Sequence, residues 1–303
     1  MSGTQRSGML FVLAGAVGYA LLPVWVKNIQ LSGLQPLDIA TWRFLFAMPL
    51  IWALLLGLRT TPPATPLPRR KLLGLGVLQV IAATSAFVGL QNLPASTMVL
   101  LFYTYPAMVA LINFALGERM PLQSWLALVI TLVGVSLTVP DFGTGLDEGA
   151  GTGVIFAFIN ALVVAVYFIL NNRVMRGHRA MGRGSAWTIT GAFLMMLVIL
   201  LVRGGAAVPP DARTWLLLLA LALFSTVFPI FMLMNGIQRL GASRAAILST
   251  VEPIGTLTLA ALFLGERVQP VQLLGGGLIL LSVLLLQLSN RKPAPVVVPA
   301  AGD

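Results

Sequence analysis

The sequence predicts an all-α integral membrane protein in which ten transmembrane helices form two inverted five-helix repeats. Three observations lead to this fold class: an apolar composition, ten apolar stretches of spanning length, and an internal repeat. Of the 303 residues, 58% are hydrophobic and 9% are charged, and the mean hydropathy is +0.94. A soluble domain carries about a quarter charged residues, so this chain could not cover itself with a wettable surface.

Ten apolar stretches are long enough to cross a bilayer, which takes about 20 residues of helix. The boundaries fall where proline, glycine and polar residues are dense, as at 60–63, 140–143 and 204–210. Open sheets cannot cross lipid and no stretch alternates like a barrel strand, so each is predicted to be helical. The stretches are 7–27, 36–58, 72–90, 95–115, 121–139, 151–171, 185–202, 214–238, 243–263 and 270–289.

The distribution of basic residues predicts the orientation of the chain. Of the 19 Lys and Arg residues, 14 lie on the side of the N-terminus, 4 lie on the other side, and Arg43 lies within a span. Cytoplasmic loops carry the excess of basic residues, so both termini of this multi-pass protein are predicted to be cytoplasmic, in a cell inner membrane. The net charge of +10 is attributed to these loops and to anionic membrane lipid, and not to nucleic acid.

An internal repeat divides the chain. The segment GLQNLPAS at 89–96 matches GIQRLGAS at 236–243, an offset of 147 residues, and LGER at 116–119 matches LGER at 264–267 after one insertion. Each half holds five spans, an odd number, so the second half enters the membrane from the opposite side. The predicted domains are residues 1–145 and 146–290, followed by a disordered cytoplasmic tail at 291–303.

These features resemble the drug/metabolite transporter superfamily, and within it the EamA family. The resemblance rests on two inverted halves, each with a proline-containing span followed by Leu-Gly-Glu-Arg and one further helix, and it covers about residues 8–289. It implies a secondary transporter of small metabolites that works by alternating access, and often exports amino acids or related amine-bearing compounds. It does not identify the substrate, because members of the superfamily differ widely.

Glu252 is the leading candidate for a functional residue, because an ionisable side chain inside a span usually faces a cavity or a partner. Pro253, the next residue, removes the helical hydrogen bond to the carbonyl of Ser249. Ser249, Glu252 and Thr256 share one helix face, which is predicted to line a water-accessible path. Glu252 would bind a substrate ammonium or a coupling proton. The alternative is a structural carboxylate held by hydroxyl groups or by Arg43.

The repeat places Tyr105 and Pro106 opposite Glu252 and Pro253, so both spans are predicted to break at equivalent depths. Arg43 would bind a substrate carboxylate or pair with Glu252; snorkelling to the membrane surface is the alternative. The other substrate-binding candidates are polar side chains inside spans, which need hydrogen-bond partners and would otherwise serve helix packing. They are Tyr19, Tyr103, Asn160 and Tyr167.

Several classes of site lack the residues that they require. The chain has no cysteine and one histidine, His178, so disulfides, thiolate or histidine metal sites and a Ser-His pair are excluded, and no Walker motif is present. No enzyme activity, cofactor or metal is therefore expected. A non-transporting scaffold or receptor, and an importer of another small metabolite, are the alternatives to an exporter.

Two further features are predicted to serve helix contacts. Glycines at 15 and 18 and at 275–277 indicate close helix approach, within the chain or at a homodimer surface. Glu118 and Glu266 of the two Leu-Gly-Glu-Arg motifs lie at helix ends near the membrane surface. There they are expected to fix loops and gating contacts and not to touch the substrate.

Overall fold

The structure, a computed structural model, describes residues 3–58, 65–118, 120–138, 148–178 and 180–289. Over these ranges the regular structure is helical throughout. The elements are α1 (Gly3–Ala20), α2 (Leu22–Gln30), α3 (Pro36–Gly57), α4 (Arg69–Asn92), α5 (Ala95–Phe102), α6 (Tyr105–Ala115), α7 (Leu122–Thr138), α8 (Glu148–Val174), α9 (Met181–Arg203), α10 (Ala212–Ala222), the π-helical segment π1 (Leu223–Val227), α11 (Phe228–Leu240), α12 (Ala242–Ser249), α13 (Glu252–Leu264) and α14 (Pro270–Ser289).

These elements build ten spans and confirm the predicted fold class. Within the described ranges, nine helical stretches are long and apolar enough to cross a membrane, and α7, with 17 residues, is a shorter apolar helix. Four spans are interrupted: the first (α1–α2), the fourth (α5–α6), the eighth (α10–π1–α11) and the ninth (α12–α13). The boundary proposed at residue 145 and the tail at 291–303 lie outside the described residues.

The packing of the helices follows the inverted repeat, in which each span of the first half corresponds to the span five places later. The third span packs along the sixth (α4 on α8), and the corresponding eighth span packs along the first (α11 on α1). Corresponding spans also meet each other: α3 packs on α9, α7 on α14, and α5 on α13. The two halves therefore interlock, with the fourth and ninth spans meeting near the middle of the bundle.

Glycine allows several of these helices to approach very closely. A Cβ atom on Gly76 of α4 would overlap the backbone of Gly191 in α9, and one on Gly191 would overlap the backbone of Leu73 in α4. In the α7–α14 pair, a Cβ on Gly134 would lie 2.8 Å from the carbonyl oxygen of Gly275, and the reverse distance would be 2.6 Å. Small residues at such crossings maximise van der Waals contact between helices in lipid.

The glycines singled out in the sequence are mostly used in this way, inside the chain. A Cβ on Gly15 or Gly18 of α1 would press on the eighth span near Pro229. Of the run at 275–277, only Gly277 would place a Cβ in open space. The close approach predicted for these glycines is thus found within the protein, and a homodimer surface stays a prediction.

Candidate functional site

The fourth and ninth spans break at corresponding places. α5 ends at Phe102 and α6 begins at Tyr105, while α12 ends at Ser249 and α13 begins at Glu252. Each new helix carries proline in its first turn, where the missing N–H breaks no helical hydrogen bond. Two helix N-termini, with their positive dipole ends, therefore lie inside the bundle.

Glu252 is the first residue of α13, so its carboxylate lies at the positive end of that helix. The hydroxyl of Tyr103 lies 3.4 Å from the carbonyl oxygen of Ser249 and also forms a hydrogen bond with the Glu252 side chain. A single hydroxyl proton can serve only one acceptor at a time. Tyr103, from the first half, thus donates either to the freed backbone carbonyl or to the carboxylate of the second half.

An aromatic wall extends from this carboxylate towards α8. It consists of Phe102, Tyr103, Tyr105, Phe168 and Tyr167. Phe102 lies 5.1 Å from Tyr105 between ring centroids, and Tyr103 lies 6.0 Å from Tyr105. The ring of Tyr105 stacks on Phe168 at 5.4 Å, and Phe168 meets Tyr167 edge to face at 5.9 Å. Such rings offer an apolar surface with hydroxyl groups at its edges.

Arg43 lies in the interior but does not pair with Glu252. Its Nε donates a 2.9 Å hydrogen bond to Thr226 Oγ1 in π1. The guanidinium carbon lies 5.5 Å from the centroid of Phe44 and 5.6 Å from that of Phe87, within cation–π range. Among the described residues, no ion pair joins Arg43 to a carboxylate. The predicted pair of Arg43 with Glu252 is therefore not formed within the described part of the chain.

Tyr19 interacts electrostatically with both the acidic residue Glu252 and the basic residue Arg43. It lies on α1, within electrostatic interaction range of Glu252, Tyr167 and Arg43. The first span therefore contributes to the same site as the fourth and the ninth. Because α1 belongs to the first half and Glu252 to the second, the site lies between the two repeats.

The two candidate residues on the sixth span, Tyr167 and Asn160, do not lie side by side. Tyr167 forms hydrogen bonds with Gln79 of α4 and Thr188 of α9, and through Phe168 it adjoins the aromatic wall. Asn160 is buried, but it precedes Tyr167 by seven residues on α8. This separation corresponds to about 10 Å along the helix. Asn160 therefore lies about two helical turns from Tyr167 along α8.

Ser249 and Thr256 lie on either side of Glu252, as their spacing predicts. Ser249 is half-buried and offers its carbonyl oxygen to Tyr103. Thr256 is buried, and its hydroxyl donates to the carbonyl oxygen of Glu252 at 3.2 Å. The Thr256 hydroxyl is thus engaged with its own helix, and of this pair Ser249 has the direct contact with the site.

Sequence reasoning missed several residues at the edges of the site. Thr226 reaches Arg43 from π1, a bulge that precedes Pro229 and whose only signal in the sequence is that proline. Gln79 could have been found, since it is an amide inside a predicted span. Thr188 gives no signal, because a threonine in a helix usually bonds its own backbone, as Thr188 also does with Gly184 at 3.2 Å.

The arrangement is suited to binding a small amphipathic molecule. It presents one carboxylate, several hydroxyl groups, an aromatic surface and, at its edge, one guanidinium. Within the part of the chain that the structure describes, no three His, Asp or Glu side chains could hold a metal ion together. A carboxylate in this setting has the chemistry to accept a ligand cation or a proton.

Comparisons with known proteins agree with this architecture. The EamA-like transporter family model matches the chain twice, over residues 6–139 and 151–288. The uncharacterized transporter YcbK of Bacillus subtilis is 28% identical over 283 residues, covering 89% of each chain. The uncharacterized inner membrane transporter YedA of Escherichia coli K12 is 26% identical over 307 residues, covering 99% of each chain.

One further relative and one solved structure extend these comparisons. The threonine/homoserine exporter RhtA of Escherichia coli K12 is 26% identical over 214 residues, covering 69% of this chain and 68% of its own. A solved crystal structure shares the fold with a TM-score of 0.63 at 16% identity, covering 93% of this chain and 97% of the other. The family model spans nearly the whole chain and matches both five-helix repeats, so this protein belongs to the EamA-like transporter family of the drug/metabolite transporter superfamily.

Proposed function

We propose that this chain is a secondary transporter that exports small amino acids or related amine-bearing metabolites by alternating access of its two repeats. The observation that carries the proposal is the position of Glu252, a carboxylate at a helix break between the halves, facing tyrosine hydroxyl groups of the opposite repeat. Sites of secondary transporters lie between inverted repeats at such interrupted helices.

A zwitterion fits the distribution of charge. Its ammonium group would bind Glu252 and the hydroxyl of Tyr103 or Tyr19. Its carboxylate would bind at the N-terminus of α6, whose first residue is the neutral Tyr105, or at Arg43. An apolar side chain would pack on the aromatic wall. Strongly anionic compounds such as sugar phosphates or nucleotide sugars lack a matching set of cations, because Arg43 is the only Lys or Arg well inside a span.

The relatives support the export of amino acids at the level of analogy. The printed name of RhtA assigns threonine and homoserine export to that protein, and the similarity extends over about two thirds of both chains. Both substrates in that name are small zwitterions with a hydroxyl group. The residues around Glu252 would accommodate compounds of this chemical class.

The test is a competition panel in proteoliposomes that contain the purified protein. Labelled small amino acids are preloaded, and exchange is measured against unlabelled amino acids, amines, hydroxy acids and sugar phosphates. We expect compounds with an ammonium group to compete, and compounds with an apolar side chain to compete best. If sugar phosphates compete and amino acids do not, the assignment is wrong. Empty liposomes and liposomes with denatured protein are the controls.

The proposed orientation has its own test. The concentration of basic residues on the N-terminal side supports a cytoplasmic position for both termini, in a cell with an inner membrane. Reporter fusions after Lys292 are therefore expected to be cytoplasmic, and fusions inserted within 143–149 are expected on the opposite side. Reports from the same compartment would contradict the proposed topology. A fusion after Arg203 adds a second position on the non-cytoplasmic side.

A further inference from the structure

The fourth and ninth spans pack differently at the two sides of the membrane, although the repeat relates the two sides. α5 and α12 are corresponding helices, yet α5 is buried at every residue from Ala95 to Leu101, whereas α12 exposes Arg244 and leaves 247–249 half-buried. α5 packs against α13 at the side of the membrane away from the N-terminus. Within the described residues, α6 and α12 show no comparable packing at the N-terminal side. The fourth and ninth spans are therefore closed at one side and separated at the other.

A single carboxylate fastens the closed side. Glu266, just after α13, accepts hydrogen bonds from the backbone N–H of Ala95 at 2.6 Å and of Ser96 at 3.0 Å, and from the hydroxyl of Ser96 at 2.7 Å. It thus caps the N-terminus of α5, which belongs to the other repeat. Hydrogen bonds to a charged acceptor at a helix N-terminus are among the stronger ones in proteins. We call this contact the Glu266 clamp.

The repeat supplies the parts of a second clamp at the other side. Glu118 corresponds to Glu266, and the Ala-Ser pair that begins α12 at 242–243 corresponds to Ala95 and Ser96. In this structure Glu118 is exposed, whereas Glu266 is half-buried. The exposure of Glu118, together with the lack of α6 packing on α12 among the described residues, points to a closed clamp on one side and an open one on the other.

We propose that Glu266 and Glu118 are reciprocal gates, each capping the opposite repeat's broken span in one of two states. In the state seen here Glu266 holds α5, and the site opens towards the N-terminal side. In the alternate state Glu118 would hold the start of α12, and Glu266 would release α5. Rocking of two rigid halves closes one side as it opens the other, so the clamps alternate. The inference deepens the proposed transport function and rests on its alternating-access step.

The exchange of one clamp for a chemically equivalent one has an energetic consequence. Each state gains the same kind of carboxylate-to-helix contact that the other loses, so the clamps bias neither state strongly. A ligand can then shift the population with a modest difference in affinity. Removing the Glu266 clamp alone should destabilise the state seen here and favour the state that is open at the side of α5.

The chain has no cysteine, so single cysteines can report on both sides without a background substitution. Thr97 on α5 is 1% exposed, and among the described residues its hydroxyl makes no hydrogen bond, so Thr97→Cys should cost little stability. Arg244 is the corresponding residue on α12 and is exposed. In nanodiscs without substrate, a water-soluble maleimide should label Arg244→Cys rapidly and Thr97→Cys slowly.

Adding Glu266→Gln is expected to raise the labelling rate of Thr97→Cys by about tenfold and to lower that of Arg244→Cys. Glu118→Gln removes a contact of the alternate state only, so it should lower the labelling rate of Thr97→Cys and should not lower that of Arg244→Cys, the opposite direction to Glu266→Gln. Asp211→Asn is a second control, because Asp211 caps α10 within its own span by accepting from Thr214 N at 2.7 Å.

Unchanged labelling of both reporters in folded Glu266→Gln protein would overturn the gate. If Glu266→Gln does not fold, Ser96→Ala removes only the hydroxyl bond and should shift both rates in the same direction by a smaller factor; no shift there would likewise overturn the gate. The labelling needs no substrate, so it separates the two proposals. Shifted labelling without amino acid transport would retain the gate and reject the substrate class, whereas transport with unshifted labelling would do the reverse.

Discussion

Replacing Glu252 with glutamine should remove the pH dependence of transport and weaken amine-bearing substrates by about ten- to a hundredfold, the factor that corresponds to losing a hydrogen bond to a charged group. Glutamine keeps the shape of the side chain, and it can still accept a hydrogen bond from Tyr103. It cannot bind a proton or neutralise an ammonium group. Initial rates in proteoliposomes over a pH series, with and without an imposed pH gradient, measure both effects.

The result is specific only if the fold is retained and neutral compounds are less affected. Thermal unfolding in detergent should be nearly unchanged, since Glu252→Gln alters no volume. Analogues of similar size without the amino group should lose much less affinity than the amines. Asp211→Asn, an exposed carboxylate outside the site, is the matched control and should behave like the parent protein. Unchanged pH dependence in Glu252→Gln would reassign this residue to structure or to direct ligand binding.

Replacing Gly76 with alanine should destabilise the folded protein by about 3 kcal/mol or more, the upper range for overpacking a close-packed interface. The added methyl group would overlap the backbone of Gly191 and Ala192 in α9. A backbone cannot rotate away as a side chain can, so α4 and α9 would have to separate along their contact. The expected result is a clearly lower thermal unfolding temperature in detergent, with reduced yield of the folded protein.

Gly74→Ala is the control, because Gly74 is on the same helix two residues earlier and a Cβ there would meet nothing within 4 Å. Alanine is favoured over glycine in a helix by about 1 kcal/mol, so this variant should be neutral or slightly stabilised. Equal destabilisation of both variants would mean that helix propensity or lipid contact, and not the α4–α9 crossing, decides the effect.

The sequence carried enough information to predict the architecture. Spanning helices are recognised by length and apolarity because lipid requires every backbone hydrogen bond to be made within the span. The repeat at an offset of 147 predicted the inverted halves, and the family match over 6–139 and 151–288 covers both. These are local or periodic signals, which a linear sequence preserves.

The central residues of the site were also recognisable one by one. Glu252 and Tyr105 stand out because ionisable and hydroxyl groups are rare and costly in a span, and each is followed by proline at a corresponding position of the repeat. The hydrogen bond between Tyr103 and the second half could not be assigned in this way. It depends on two helices from opposite repeats meeting at the same depth.

The sequence by itself determined which residues enter the membrane, that the chain repeats with inverted topology, and which polar groups are candidates for binding. Only the tertiary structure decided the partners: Arg43 donates to Thr226 and not to Glu252, and Glu266 caps α5 while its repeat equivalent Glu118 is exposed. The physical reason is that the repeat encodes two equivalent sets of contacts. In the state described here the Glu266 set is formed, and which of the two sets forms is a property of the packed state.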